Sequence, residues 1–338
     1  MAAGAMRYGF GYQGSKNKIC RWLMEHLPRG KRFCDLFGGG FAVSHAALLS
    51  GKYKSVFYNE INKDIFDIVR RYILNKEPVP MQWISREDFS RLKDTDPVVS
   101  LFWSFNQNRS SYLYSVEIEP WKKALHYARV LGDRLPLQAF DIDSDGSRAN
   151  IRAHEKEYKE KYIKWYLETH KEQSQGSMGS LGRLQDLGSL GRLQDLESPG
   201  RLQDLESLGR LQDLVSLQSL QSLKRLEVNC GSYLDYEYKE GDVVYCDPPY
   251  ENTNTEGYKN IFDSKQFYDW VFNCPFQVFF SSYEISDDRF YELDFIEKTN
   301  NFTNLGSAKK NIERLYSNKP FPGAQRPQQT TIFDFLKE

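Results

Sequence analysis

The sequence predicts a doubly wound α/β fold: a largely parallel sheet flanked by helices, interrupted by a mainly helical region and by a leucine-rich tandem repeat. Three observations predict it. An apolar run at 32–37 passes into Gly38-Gly39-Gly40 and then into a helical stretch at 41–50. A second run at 55–60 ends in an acid, Glu60, and leads to a helical pattern at 62–72. A third, Val243-Val244-Tyr245-Cys246, ends in Asp247-Pro248-Pro249-Tyr250. Strand, glycine turn, helix, strand and acid make the first half of a doubly wound sheet.

The glycines allow the chain to pass close to a ligand at a helix N-terminus, and Glu60 lies ~20 residues beyond them, where an acid meets ribose hydroxyls. A dinucleotide site would begin in the same way, so the turn alone does not choose the ligand. Asp247-Pro248-Pro249-Tyr250 is more selective. Two prolines fix φ and remove backbone donors, so the turn presents carbonyl acceptors beside the Asp247 carboxylate. Tyr250 can lie flat against a ring. Such a strand end suits a planar exocyclic amine. Together with Glu60 and the glycines it favours S-adenosylmethionine over NAD.

Composition limits the remaining classes. At 338 residues, 40% hydrophobic and 14% aromatic, the chain can bury one large core or two modest ones. No stretch approaches the ~20 apolar residues of a membrane span, and residues 1–10 lack the apolar core of a secretory leader. The five cysteines (20, 34, 230, 246 and 274) are odd in number and form no CxxC pair, so neither disulfides nor a zinc site is expected. The histidines are scattered and none is assigned to a metal. A reduced, cytoplasmic protein is expected. Net charge is −1, but up to Phe33 there are seven Lys/Arg against one Glu, an excess that could meet phosphates or simply form a solvated helix face.

Residues 76–175 read as mainly helical, most clearly at 121–130 and 155–170. Between these helices and the first half-sheet lies Ser104-Phe105-Asn106-Gln107-Asn108-Arg109-Ser110-Ser111-Tyr112. Amides pair with adenine and arginine with guanine, so Asn106, Asn108 and Arg109 are candidate DNA contacts; a polar loop with capping amides would read the same.

Residues 176–226 are repetitive. Gly-Arg-Leu-Gln-Asp-Leu begins at 182, 191, 200 and 209, and leucine recurs at every third position from Leu181 to Leu226, interrupted only by Pro199. Three residues turn about 300° on an α-helix, so this row winds around the axis. A single amphipathic helix fits poorly, and the units are shorter than the ~20–29 residues of leucine-rich solenoids. A slippage-type expansion at a tolerant surface site, with little part in the chemistry, is expected. Strands are then expected at 226–230, 243–246 and 277–283, with 290–298 and 312–316 completing the sheet.

On these motifs the chain resembles the Dam-type (D12 class, alpha group) adenine-N6 DNA methyltransferases. The likeness covers about 7–75 and 227–320 and is faint between them. Tyr12-Gln13-Gly14-Ser15-Lys16 resembles the family's aromatic-x-Gly-x-Lys segment. The resemblance implies a Rossmann-like methyltransferase sheet, S-adenosyl-L-methionine as methyl donor and double-stranded DNA as partner, with base flipping and no metal. By it, Tyr12 and Lys16 flank the methionine end of the donor; Asp35, Phe37, Gly38 and Gly40 belong to the glycine-motif strand and turn; Glu60 holds the ribose; and Ser232 and Tyr233 line the adenine. Asp247, Pro248, Pro249 and Tyr250 are implied to be catalytic, Asp247 also facing the donor. The family's Phe-x-Gly-x-Gly reads Phe37-Gly38-Gly39-Gly40-Phe41 here, so either Phe41 replaces a glycine or the loop is one residue shorter.

The tail, 319–338, reads as a Pro/Gly linker followed by Gln329-Thr330-Thr331-Ile332-Phe333, which resembles the pentapeptide that docks on the replication sliding clamp; Gln329, Ile332 and Phe333 are the candidate contacts. The expected division is 1–75 and 227–318 for the two halves of the methyltransferase domain, 76–175 for target recognition, 176–226 for the repeat and 319–338 for the tail. Two other readings stay open: a cytosine-N4 or RNA adenine methyltransferase of the same fold, and a non-catalytic interaction protein built on the repeat.

Overall fold

The computed structural model describes residues 7–175, 205–249, 262–299 and 310–322. The chain forms two compact units, one made of Met1–Pro78 with Asp213–Glu338 and the other of Val79–Gln212.

The first unit is built on a seven-stranded sheet. Its strands are β1 Arg32–Asp35, β2 Ser55–Asn59, β3 Leu226–Asn229, β4 Asp242–Cys246, β5 Val278–Ser282, β6 Tyr291–Thr299 and β7 Lys310–Ser317, in the spatial order β3-β2-β1-β4-β5-β7-β6. The first five are parallel; β7 runs antiparallel to both β5 and β6. Strands buried on both faces read as continuous apolar runs, which is why β1, β4 and β5 were legible: their residues are buried almost throughout. Strand order reverses between β1 and β4. In an open α/β sheet the crevice beyond the strand C-termini at such a switch point is the ligand site.

Helix Ala42–Leu49 follows β1 and is buried along nearly its whole length. Helix Lys63–Ile68 follows β2, capped by the Asn62 side chain, and continues as a π-helical turn, Val69–Leu74. Helix Ser264–Asn273 packs Phe267 and Val271 into a core with Val244, Cys246, Val278 and Phe280.

The second unit contains several helices. It includes Arg86–Leu92, Pro97–Phe102, Glu119–Val130 and Glu155–Gln175, around a core that contains Trp103, Trp121 and Tyr162.

Helix Glu206–Gln218 carries the last repeat copy, and here the expectation of a surface insert is corrected. Leu205, Leu208, Leu211, Leu214 and Leu217 are all buried. Four steps of three residues wind the leucine row about two-thirds of the way around a helix, so the buried leucines spread over much of its circumference, while Glu206, Gln212, Val215 and Ser216 stay exposed. Its polar residues are used as well. In the second unit Ser207 bonds the Tyr114 hydroxyl at 3.1 Å, and Arg210 donates to the Phe102 carbonyl at 2.9 Å. In the first, Asp213 accepts from the Gly11 N–H at 3.2 Å and pairs with Arg7. The earlier copies, at 182, 191 and 200, lie outside the described residues, as do Tyr250 and the tail residues Gln329, Ile332 and Phe333. No helix among the described residues is long and apolar enough to cross a membrane.

Candidate active site at the strand switch point

The glycine turn is held from three sides. Gly38 N–H donates to the Asn59 carbonyl at 2.8 Å, Gly39 N–H to Glu60 Oε2 at 2.8 Å, and the Gly40 carbonyl accepts from Phe10 N–H at 2.9 Å. Two of the glycines are there for space. A Cβ on Gly38 would stand 2.1 Å from the Tyr58 ring, and one on Gly40 2.7 Å from the Tyr12 Cβ. Phe41 has φ +66°, the left-handed backbone that favours glycine. It is therefore a phenylalanine in a backbone conformation that glycine usually takes. Its ring, fully buried, stacks on His45 and meets Tyr58 edge-on.

Glu60, expected to hold a ribose, braces the turn through one oxygen while the other accepts from Asn62 N–H at 2.7 Å. Burial raises its pKa, opposed by these backbone donors. Asn59, which sequence reasoning missed, ties the turn to the loop after β3 by donating to the Leu36 and Gly231 carbonyls, both at 3.0 Å. An Asn closing an otherwise aromatic and apolar strand was the available signal.

Phe37 stacks on Tyr233, ring centroids 5.2 Å apart, and both pack on Phe267. Ser232 caps the short turn Tyr233–Asp235. Phe37, Ser232 and Tyr233 thus come together beside the β1 end, and Tyr12 packs against Gly39 and Gly40.

Asp35 is buried. Its Oδ2 accepts from the Ser44 hydroxyl at 2.7 Å, while Oδ1 has no hydrogen-bond partner among the described residues. Burial pushes its pKa up to about 7; the Ser44 bond opposes this, and the charges of Asp247 and Glu60 add to it.

Asp247 leaves β4 next to the turn. Lys16 Nζ is 2.6 Å from its Oδ1, and the Ser281 hydroxyl donates to the same oxygen at 3.1 Å. Lys16 is also 3.2 Å from Glu313 Oε1. Burial alone pulls the lysine's pKa down, but Asp247 and Glu313 outweigh it and the net shift is upward, so the ammonium stays charged. Ser281 in turn bonds the Tyr245 hydroxyl at 2.7 Å. Pro248 is buried behind the motif.

The site thus contains a glycine cradle, carboxylates at 35, 60 and 247, and one shared ammonium. A buried carboxylate oxygen with no partner among the described residues suits a cationic ligand.

In the second unit, Asn106, Asn108 and Arg109 sit on a tight turn closed by the Ser104–Tyr112 bridge. Asn106, Gln107 and Arg109 all have left-handed φ. Asn108 Oδ1 accepts from Ser110 and Ser111 N–H, both at 2.9 Å, so this amide caps its own loop. Asn106 is exposed and Arg109 half-buried.

The model of the D12 class N6 adenine-specific DNA methyltransferase family matches residues 12–172 of the chain. The recognition drawn from the motifs is the same family, and the match runs on through the middle region where the motif likeness was faint. No curated protein matches the chain. The family is one of enzymes that methylate adenine in DNA, and methyltransferases of this kind generally use S-adenosylmethionine.

Proposed function

We propose that this D12-class chain transfers a methyl group from S-adenosylmethionine to the N6 of an adenine flipped out of double-stranded DNA. One observation carries the reading. The glycine turn and Asp247 leave adjacent parallel strands at the switch point, where Leu36 N–H donates to the Tyr245 carbonyl at 3.0 Å. A donor held by the first is brought against an amine held by the second.

The donor would lie along Gly38 and Gly40, with Glu60 at the ribose, Phe37, Ser232 and Tyr233 about the adenine, and Tyr12, Lys16 and Asp35 toward the methionine end. When bound it supplies an electrophilic methyl on a sulfonium. Asp35 Oδ1, buried beside this path, offers negative charge to that cation.

The target base is unreachable inside a duplex and must leave the stack, at a cost of a few kcal/mol. Tyr250 stacking on the flipped ring recovers roughly 1–3 kcal/mol. Asp247 and the Pro248 carbonyl accept hydrogen bonds from N6. These bonds favour a tetrahedral amine over the flat conjugated one and so raise its nucleophilicity. The amine lone pair forms the new N–C bond as the methyl carbon's bond to sulfur breaks, the electron pair remaining on sulfur; N6 then loses a proton to water. The residues act by positioning and electrostatics.

Sequence reading in DNA would fall to the turn carrying Asn106, Asn108 and Arg109. The tail adds a docking proposal, in which Gln329, Ile332 and Phe333 engage a sliding clamp. A peptide of residues 325–338 should bind a clamp and lose binding on Phe333→Ala; no binding at high micromolar concentration refutes it.

Nucleoside analysis of DNA incubated with the protein and labelled donor tests the main reading. N6-methyladenine is expected. N4-methylcytosine, or labelled RNA alone, would move the acceptor; absence of donor binding would favour an interaction protein.

A further inference from the structure

His45 takes no part in the chemistry proposed above. It lies on the helix that follows the glycine turn, Ala42–Leu49, and is 6% exposed. Its Nδ1 accepts from the Gly9 N–H at 3.1 Å. Phe41 stacks on its ring, centroids 6.4 Å apart, and Tyr8 meets it edge-on at 5.5 Å.

The bond fastens the N-terminal segment to the turn. Gly9 has φ +64°, and a Cβ there would stand 2.3 Å from the Gly40 carbonyl oxygen and 2.6 Å from the Ala42 nitrogen, so backbone lies directly on backbone. The next residue, Phe10, donates to the Gly40 carbonyl at 2.9 Å. Two residues on, the Tyr12 ring lies 3.6 Å from the place of a Cβ on Gly39. Tyr12 therefore reaches the turn from a stretch of chain anchored at Gly9 and Phe10.

Histidine is a costly way to fill that space. With Nδ1 accepting, the ring proton is on Nε2, and Nε2 is buried with no hydrogen-bond partner among the described residues. A buried donor without an acceptor destabilises a fold, and a phenylalanine would stack on Phe41 without bringing one. What phenylalanine lacks is the acceptor for Gly9. Burial pushes the imidazole pKa down to about 4, so the ring is neutral and the Nδ1 lone pair is available at neutral pH.

We propose that His45 is a positioning residue for the methyl donor: through Gly9 it holds Tyr12 against the glycine turn, so that this wall of the donor site stands ready before the donor arrives. This rests on the methyltransferase reading above and names a further part of that site. Such preorganisation raises affinity because the segment need not be ordered on binding.

The test uses the full chain, with donor affinity from isothermal titration and the single-turnover rate of duplex DNA methylation at saturating donor. His45→Phe keeps the aromatic contacts and removes the acceptor. It should weaken donor binding by about tenfold and leave the saturated rate within about threefold of the parent. His45→Asn sets an amide oxygen near the place of Nδ1 and gives up the stacking. It should bind donor within about threefold of the parent. A residue that only fills space predicts the reverse order, with asparagine harmful and phenylalanine harmless. That order overturns the proposal, as do equal affinities in the two variants.

Coupling is reciprocal, so donor should protect the Gly9 N–H in turn. Hydrogen exchange at that amide, followed by NMR in the parent, should slow by about tenfold at saturating donor. This measurement decides the matter should His45→Phe fail to fold: slower exchange supports the proposal and unchanged exchange overturns it. A proton found on Nδ1 of His45 by nitrogen NMR overturns it as well. A parent that binds no donor refutes the proposed function; a parent that binds donor equally well whichever residue stands at 45 refutes only this inference.

Discussion

The N–H of Leu36 donates to the carbonyl of Tyr245 at 3.0 Å, and this bond sets the glycine turn and the Asp-Pro-Pro turn side by side. The two motifs are far apart in sequence, with the whole helical unit and the repeat between them. The sheet order brings them together, because β1 and β4 are neighbours. Several expectations depend on that adjacency.

Asp247→Ala should abolish methyl transfer, by about 10³-fold or more, since it removes the group proposed to meet the reacting amine. Donor binding should partly survive, because the cradle at 38–40 is untouched. Isothermal titration with donor, set beside single-turnover rates, separates the two. Near-normal turnover contradicts the assignment.

Gly38→Ala should destabilise the fold by about 1–3 kcal/mol, the usual cost of overpacking a filled site. The new methyl would press on Tyr58, whose hydroxyl donates to the Gly39 carbonyl at 2.8 Å. Thermal unfolding and donor affinity should fall together; a silent substitution would show that the turn is looser than described.

Phe41→Gly sets two effects against each other. Glycine relieves roughly 1–2 kcal/mol of left-handed strain, while loss of a buried phenylalanine costs about 3–5 kcal/mol. The packing term is larger, so the variant should be less stable by about 1–4 kcal/mol in denaturant unfolding. A stabilised variant would mean that the aromatic contacts contribute little.

Donor affinity should depend on pH through Asp35. With the carboxyl pushed up to about 7 in the folded chain, it is largely protonated at pH 6. A cation favours the ionised form, so binding releases a proton and tightens as pH rises toward 7, by up to about tenfold per unit, then levels above it. The same shift has the opposite sign for folding without donor: the folded state holds the extra proton, so this group's contribution to stability is lost as pH rises from about 4 to 7. Asp35→Asn should flatten the affinity profile.

The last repeat copy should behave as core and an earlier copy as expansion. Leu211→Ala or Leu214→Ala should cost about 2–5 kcal/mol, because both leucines are fully buried. Deleting residues 182–190 should leave methylation intact. Complete loss of activity in a folded deletion variant would overturn the slippage view.

Much of this fold was legible because its strands are apolar on both faces and end in punctuation: glycines after β1, an acid after β2, prolines after β4. The place of β7 was not legible, since antiparallel insertion between β5 and β6 leaves no local mark. Glu313 was hidden for the same reason, although a signal existed: it shares parity with Leu315 and Ser317, both buried, and an acid on the buried side of a strand needs a partner. The leucine row was hard to read because its period spreads residues around a helix, which excludes a single apolar stripe but not burial of each leucine of the last copy. Phe41 could not be assigned from sequence, because a phenylalanine does not advertise a positive φ.

The most direct measurement is nucleoside analysis of unmethylated duplex DNA treated with the purified protein and labelled S-adenosylmethionine, run beside Asp247→Ala. Label in N6-methyladenine, present with the parent and absent with the variant, is the predicted result. Label in no nucleoside, or equal label from both proteins, would contradict a site made by Asp247 and the glycine turn.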